Sequence, residues 1–450
     1  MGDKMEPLKY FEDFLNIPRE SGNEKGISDY LVEFAKENGL EYYVDDVYNV
    51  IIKRNSNNNS KETLILQGHI DMVCTSDSDY DFKNNGINWY IQDNMYKAKG
   101  TTLGADNGIG CSIILALLSN KDILVPNIEA IFTTQEETTM EGAKRLDYSK
   151  ITGNKLISID GTDEGVIEVS SAGMTSITIS KKLEYSESPF KKYKISIDGL
   201  EGGHSGVDIN KHKGNSIKIM GDIIGKLNNY YLIDINGGSK DNVIPSECIS
   251  IISTDENINI DSSYKDMYPN INILVEEIST DDKVICKDDS KMIIDFINNV
   301  PIEVLSYALE YPQTSLNLAT IRFDKEYVNI NISIRSSNTE DEKKHVEMVR
   351  NLSNNMNFKI NSTIPYFTFN ENSELRDILV NKYKELYGKE VILEHVHAGL
   401  EGGVFSEHIK DLDVCVIAPN LHDIHTVNEC VEIDSVNRVY KWLIEVLKEI

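Results

Sequence analysis

Apolar residues recur at helical spacing from Pro7-Leu8 through Phe11 to Leu15, and again at Ile27, Leu31, Phe34 and Ala35, which predicts two helices early in the chain. The second stops at Asn38-Gly39, a pair suited to the left-handed turn that ends many helices. Short β-like runs follow at Glu41–Val44 and Val50–Ile52, and a third, Thr63–Leu66, feeds Gln67-Gly68-His69-Ile70-Asp71-Met72. After a long polar excursion, Asp77–Asn94, comes an apolar helix at Ser112–Leu118, then strands at Asn127–Thr134 and Lys155–Ile159. From Tyr193 to about residue 366 the pattern reads β-α-β-β, then a mixed stretch, a strand at Asn270–Val275, a helix at Met292–Val300, two strands through Ile334 and a helix at Glu340–Leu352. The last portion returns to alternation, with helices at Ser373–Leu386 and Ser435–Leu447 around strands at Val391–Leu393 and Val414–Ile417.

Strands alternating with helices on both sides of a differently textured middle predict one α/β domain interrupted by another. The expected boundaries are 1–185 and 367–450 for the interrupted domain and 186–366 for the insertion. Two comparable strand-and-helix sets predict that the insertion is an α+β domain of two ferredoxin-like halves.

Composition narrows the function classes. At 450 residues the chain can bury a sizeable core, and 40% hydrophobic with 26% charged residues is ordinary for a soluble globular protein. Lys plus Arg number 45 against 73 Asp plus Glu, a net charge of −28, so phosphate backbones and anionic lipid are repelled; neither nucleic acid nor membrane is an expected partner. No apolar run approaches the roughly 18 residues of a membrane span. Met1–Met5 leads into an amphipathic segment rather than a signal peptide, so the expected location is cytoplasmic. The six cysteines are scattered without a Cys-x-x-Cys pair, which predicts free thiols rather than disulfides or a thiolate metal site.

Candidate chemistry lies at predicted strand ends. In extended backbone His69 and Asp71 point the same way, so one can bind a metal while the other holds it; a strand-end histidine hydrogen-bonded to aspartate satisfies the same pattern. Gly100–Gly110 is dense in glycine but has neither a dinucleotide fingerprint nor a Gly-Lys-Ser/Thr, and Asp106 within it is suited to capping the following helix or to metal binding. Glu136 and Glu137 face opposite sides, so one can ligate a metal while the other addresses water. His69, Asp106, Glu137, Asp160 and His425 all fall at strand ends or a helix start, where open α/β sheets place ligands. These N/O donors suit two borderline divalent ions such as zinc, manganese or cobalt.

Several motifs, in order, resemble the cytosolic Xaa-His dipeptidase (aminoacyl-histidine dipeptidase, carnosinase-like) family of dinuclear zinc metallopeptidases. They are Ile17–Glu24, the His69-x-Asp71 strand, Gly100–Gly110, Glu136-Glu137 with Met140-x-Gly142-Ala143, Asp160, Gly202–Gly206, Arg335-Ser336-Ser337, His397–Gly403 and His425-Thr426. The resemblance implies a zinc-peptidase-like catalytic domain, its mixed sheet flanked by helices, with the insertion as a lid. It implies that His69 and Asp160 bind one ion, Glu137 and His425 the other, and that Asp106 bridges them, with a cis peptide bond after Asp106. Asp71 would orient His69, and Glu136 would be the general base acting on a bridging water. His204, assisted by Asn242, would stabilise the oxyanion, Arg335 would grip the substrate's carboxylate, and Gly403 would line the pocket.

The implied substrates are unblocked dipeptides, including Xaa-His and β-alanyl-His. N-acyl amino acid deacylation and a broader di/tripeptidase activity use the same metals and remain alternatives. A non-enzymatic metal-binding protein would leave Glu136 without a task. Whether His204 acts within its own chain or from a second subunit of a homodimer stays open. Gln135, Asp241 and Gly402 depart from the family pattern, as do the residues after His425-Thr426, and His422 is a second candidate for the final ligand. None of these departures removes a candidate ligand or Glu136; they bear on substrate preference.

Overall fold

The computed structural model describes residues 6–308, 310–324 and 326–450; Met1–Met5 lie outside them. Two compact units result, one formed by residues 6–171, 366–395 and 400–450, the other by residues 172–365 and 396–399.

The first unit is built on an eight-stranded mixed sheet. Across it the strands run Glu41–Val44, Val50–Arg54, Asn127–Thr133, Thr63–His69, Lys155–Ser158, Asp413–Val416, Val166–Ser170 and Ile392–His395. The central four are mutually parallel, so their carboxyl ends share one edge. Thr63–His69 and Asn127–Thr133 are buried along almost their whole length, as expected where both sheet faces are covered. One cover is the helix Ala105–Ser119, apolar around most of its circumference and buried except at Asp106 and Ser119, which sits between the sheet and the helices Glu6–Asn16 and Ile433–Glu449. Its close seating depends on absent side chains. A Cβ on Gly110 would lie 2.2 Å from the Ile159 carbonyl oxygen, and one on Gly68 2.5 Å from Asn107 Oδ1. Gly110→Ala is therefore expected to cost about 1–3 kcal/mol through overpacking, read as a lower urea midpoint at unchanged m-value.

The second unit carries a nine-stranded sheet around its own core. One half runs Lys191–Asp198, helix Ser216–Gly225, Tyr230–Gly237, Cys248–Thr254, the short helix Ser263–Met267 and Asn272–Ile278. In the sheet its first strand lies between its fourth and third, with the second outside the third, the ferredoxin-like order. The other half has the same order with Gly173–Lys182, helix Lys287–Asn299, Tyr311–Phe323, Tyr327–Ser336, helix Thr339–Leu352 and Asn357–Ile364. The halves join where Gly237 pairs with Ile321.

Two expectations are corrected here. The insertion starts at Ala172 rather than residue 186, because Gly173–Lys182 pairs along its length with Tyr327–Ser336 and Asn357–Ile364. One half is thus itself interrupted by the other, which separates its first strand from the rest by the whole intervening half. The return segment 396–399 also belongs with the second unit, within the region assigned to 367–450. At the end of the polar excursion Asp77–Asn94, Trp89–Gln92 pairs with Met95–Ala98 in a four-stranded sheet that also includes Cys430–Glu432. All six cysteines are free thiols. Among the described residues no helix is long and apolar enough to cross a membrane.

Candidate active site

Three of the parallel strands deliver side chains to the shared carboxyl edge. Thr63–His69 ends on His69, Asn127–Thr133 runs on to Glu136 and Glu137, and Lys155–Ser158 runs on to Asp160. Asp106 enters from the first turn of the Ala105–Ser119 helix, and His425 from the segment between Leu421–His422 and Cys430–Glu432. Although Asp106 was open to a capping reading, its carboxylate turns elsewhere. Its Oδ1 lies 3.1 Å from His69 Nε2 and its Oδ2 3.1 Å from His425 Nε2. The Asp106-Asn107 peptide bond is cis.

Around this shared carboxylate two donor groups form. His69 Nε2 also lies 3.4 Å from Asp160 Oδ1, and His425 Nε2 lies 3.1 Å from Glu137 Oε2. In each of the groups His69, Asp106, Asp160 and Asp106, Glu137, His425, one ligand atom per residue falls within 4.8 Å of the others. Two imidazoles and three carboxylates from five segments suit divalent cations bound by nitrogen and oxygen, and only Asp106 belongs to both groups. Glu136 Oε2 is 4.0 Å from His69 Nε2. His422 is placed instead on a strand paired with Cys430, outside both groups.

Electrostatics in this cluster are dominated by its carboxylates. Burial pushes the Glu136 carboxyl well above its ordinary range, and Asp160, Glu401 and Glu137 push the same way against the pull of His69. His69 is buried, which works against a charged ring, yet Asp160, Asp106 and Asp71 together raise its pKa well above the ordinary value. Hydrogen bonds to Asp106 and Glu137 raise His425 to about 10. Protons on the two imidazoles thus do the neutralising that cations would do, and cation binding would release them.

Behind the cluster lies a buried support. His69 Nδ1 faces Asp71 Oδ1 at 3.3 Å, leaving Nε2 toward Asp106 and Asp160. Asp71 also accepts from Ser21 Oγ at 2.7 Å and from the N–H groups of Glu136 at 3.0 Å and Glu137 at 3.3 Å, so one carboxylate holds the histidine and both glutamates. Arg19, fully buried, donates to the carbonyls of Ile70, Asp71 and Gly104. Asn107 Nδ2 donates to Asp160 Oδ1 and to the Ile159 carbonyl, both at 2.6 Å. The task that Asp106 leaves is done by Glu429, whose oxygens accept from the N–H groups of Leu103, Gly104, Ala105 and Asp106 at 2.7–3.2 Å. A negative side chain at the positive end of this helix is favourable. Sequence reasoning assigned no roles to Ser21, Arg19, Asn107 and Glu429. Their only signal was membership of the motif runs Ile17–Glu24, Gly100–Gly110 and the segment after His425.

Gly403 lies in the helix Glu401–His408 of the same unit, buried. His204, Asn242 and Arg335 lie in the second unit. His204 and Val243 pair in a short ladder, and the Asn242 carbonyl accepts from Ser205 N at 2.9 Å. His204 Nδ1 accepts from the N–H groups of Gly206 at 3.2 Å and Val207 at 3.3 Å. Burial lowers the pKa of His204 and the nearby Arg335 lowers it further, so the ring is neutral with its proton on Nε2. Arg335 sits buried on Tyr327–Ser336, and burial lowers its pKa to about 10 against the pull of Asp241.

Known proteins match along nearly the whole chain. The sequence profile of Peptidase family M20/M25/M40 matches residues 65–449. The cytosol non-specific dipeptidase of Escherichia coli (strain K12) is 29% identical over 98% of this chain and 96% of that protein. The structure of aminoacylhistidine dipeptidase from Vibrio alginolyticus superimposes with a TM-score of 0.88 at 29% identity, covering 99% of this chain and 96% of that one. Aminopeptidase PepT from Bacillus cereus shares the fold at 18% identity, with a TM-score of 0.61 over 99% of this chain and 98% of that one.

Proposed function

This chain belongs to peptidase family M20/M25/M40, and we propose that it is a metal-dependent dipeptidase of the cytoplasm, hydrolysing unblocked dipeptides, Xaa-His among them. The observation that carries this reading is the Asp106 carboxylate, each of whose oxygens lies 3.1 Å from a different imidazole with Glu136 alongside. Likeness to the E. coli dipeptidase over almost the full length supports dipeptide substrates, and likeness to the V. alginolyticus enzyme supports Xaa-His.

In this reading His69 and Asp160 would hold one divalent ion and Glu137 and His425 the other, with Asp106 available to both. Zinc fits the nitrogen and oxygen donors, with manganese and cobalt as the other candidates. When bound, such ions polarise a carbonyl and lower the pKa of water. Asp71 fixes the tautomer in which His69 Nε2 is the free donor atom. Glu136, anchored through its own N–H to Asp71, takes a proton from the attacking water and delivers it to the leaving amine. Burial and the neighbouring carboxylates raise the basicity of the Glu136 carboxylate, which suits a group that must take up a proton. His204 is a neutral donor, its Nε2–H free to stabilise the oxyanion, with Asn242 beside it and Gly403 lining the pocket. Arg335, a buried guanidinium, receives the substrate's free carboxylate.

A substrate panel tests this. Metal-loaded protein is expected to cleave Xaa-His dipeptides, and amidation of the C-terminus is expected to lower kcat/KM by about tenfold to a hundredfold, the worth of a charged hydrogen-bonded contact. Turnover of N-acetyl amino acids in preference to dipeptides would move the assignment to deacylation, and no turnover of any dipeptide would sink it.

A further inference from the structure

Beneath the candidate ligands runs a second row of side chains, polar and buried. Gln67 lies two residues before His69, Thr133 three before Glu136 and Ser158 two before Asp160, so each of the three site-bearing strands contributes one member. The row is closed by a residue from far along the chain. Glu401, 1% exposed in the first turn of the Glu401–His408 helix, accepts at Oε2 from Gln67 Nε2 and from Thr133 Oγ1, both at 2.6 Å. Gln67 in turn accepts from Ser158 Oγ at 2.7 Å through its other amide atom. A single carboxyl oxygen therefore ties two parallel strands directly and the third through Gln67.

An ionised carboxylate would be costly in so buried a place without a cation against it, and no ion pair to Glu401 is present among the described residues. Burial pushes its pKa to about 8, which leaves it mostly a neutral acid at pH 7.

We infer that Glu401 is a positioning residue whose Oε2, as a hydrogen-bond acceptor, locks the ends of the three site strands and so sets the spacing of His69, Glu136 and Asp160. The inference rests on the metal-site reading above for its consequence, and on the observed hydrogen bonds for its geometry. Partners that orient metal ligands from behind typically matter tenfold to a hundredfold for affinity or activity.

The test uses the full chain, stripped of metal and titrated with Zn2+ by calorimetry, alongside dipeptide turnover at saturating metal. Glu401→Ala is expected to weaken Zn2+ affinity and lower kcat by about 10–100-fold each, with KM little changed. Glu401→Gln keeps a neutral acceptor oxygen of the same reach and is expected to restore both to near the parent values. Thr133→Val, a milder change, is expected to show part of the loss and to combine with Glu401→Ala less than additively, because both break one network. Parent-like Zn2+ affinity and kcat in Glu401→Ala would overturn the inference, as would a Glu401→Gln variant as impaired as Glu401→Ala. If the parent protein turns over no dipeptide, the functional reading fails, while the Zn2+ titrations still decide the role of Glu401.

Discussion

Glu136→Gln is expected to bind metal like the parent protein while kcat for dipeptides falls by about 10²–10⁴-fold, the range a positioned proton-transfer group contributes. The substitution preserves the side chain's shape and leaves the Asp71 bond to the residue's N–H intact, so the surrounding ligands keep their places. It removes only the group that can take a proton. Glu136 lies outside both groups that share Asp106 but within reach of a metal in a third group with His69 and Glu137, so metal content and kcat are read on the same sample: unchanged metal content with a lost rate assigns Glu136 to the base rather than to the ligands. Single-turnover kinetics with one Xaa-His dipeptide, beside metal analysis of the same sample, reads both. An unchanged rate would remove Glu136 from the mechanism.

Asp106→Asn is expected to be as damaging by a different route. The amide is uncharged and keeps one acceptor oxygen while replacing the other with a donor, so both imidazoles lose their shared anionic neighbour and one also loses its acceptor. The variant is expected to bind fewer than two equivalents of divalent ion and to lose roughly 10³-fold or more in kcat/KM, several kcal/mol of transition-state stabilisation. Thermal melts supply a readout independent of activity. Ligand that binds only the folded state raises Tm, so the parent protein should gain stability on adding Zn2+ and Asp106→Asn should gain much less. An equal metal-dependent rise in both would remove Asp106 from the shared position.

Much of this site could be read from the sequence because local rules govern it. The two-residue period of a strand puts His69 and Asp71 on one side, and the long buried runs before His69 and Glu136 mark strands covered on both faces. Helix extents follow the apolar spacing closely, as at Glu374–Tyr387 and Ile433–Glu449. What could not be read depends on distance along the chain. Glu429 accepts from Leu103 across 326 positions and Glu401 from Gln67 across 334, separations at which no period or propensity signals a partner. For the same reason the sequence left Asp106 open to capping or ligation; in the structure the cap is taken by Glu429, which leaves the Asp106 carboxylate facing the two imidazoles. The early start of the insertion was hidden differently. Gly173–Lys182 finds its neighbours Tyr327–Ser336 and Asn357–Ile364 only after the other half has been threaded between them.

Metal titration of the stripped protein, followed by dipeptide turnover at each step, tests the central claim most directly. The account predicts two equivalents of divalent ion per chain, with hydrolysis of Xaa-His dipeptides absent from the stripped protein and reaching its maximum as the second equivalent binds. Binding of no ion, or full dipeptide turnover by protein held free of metal, would contradict it.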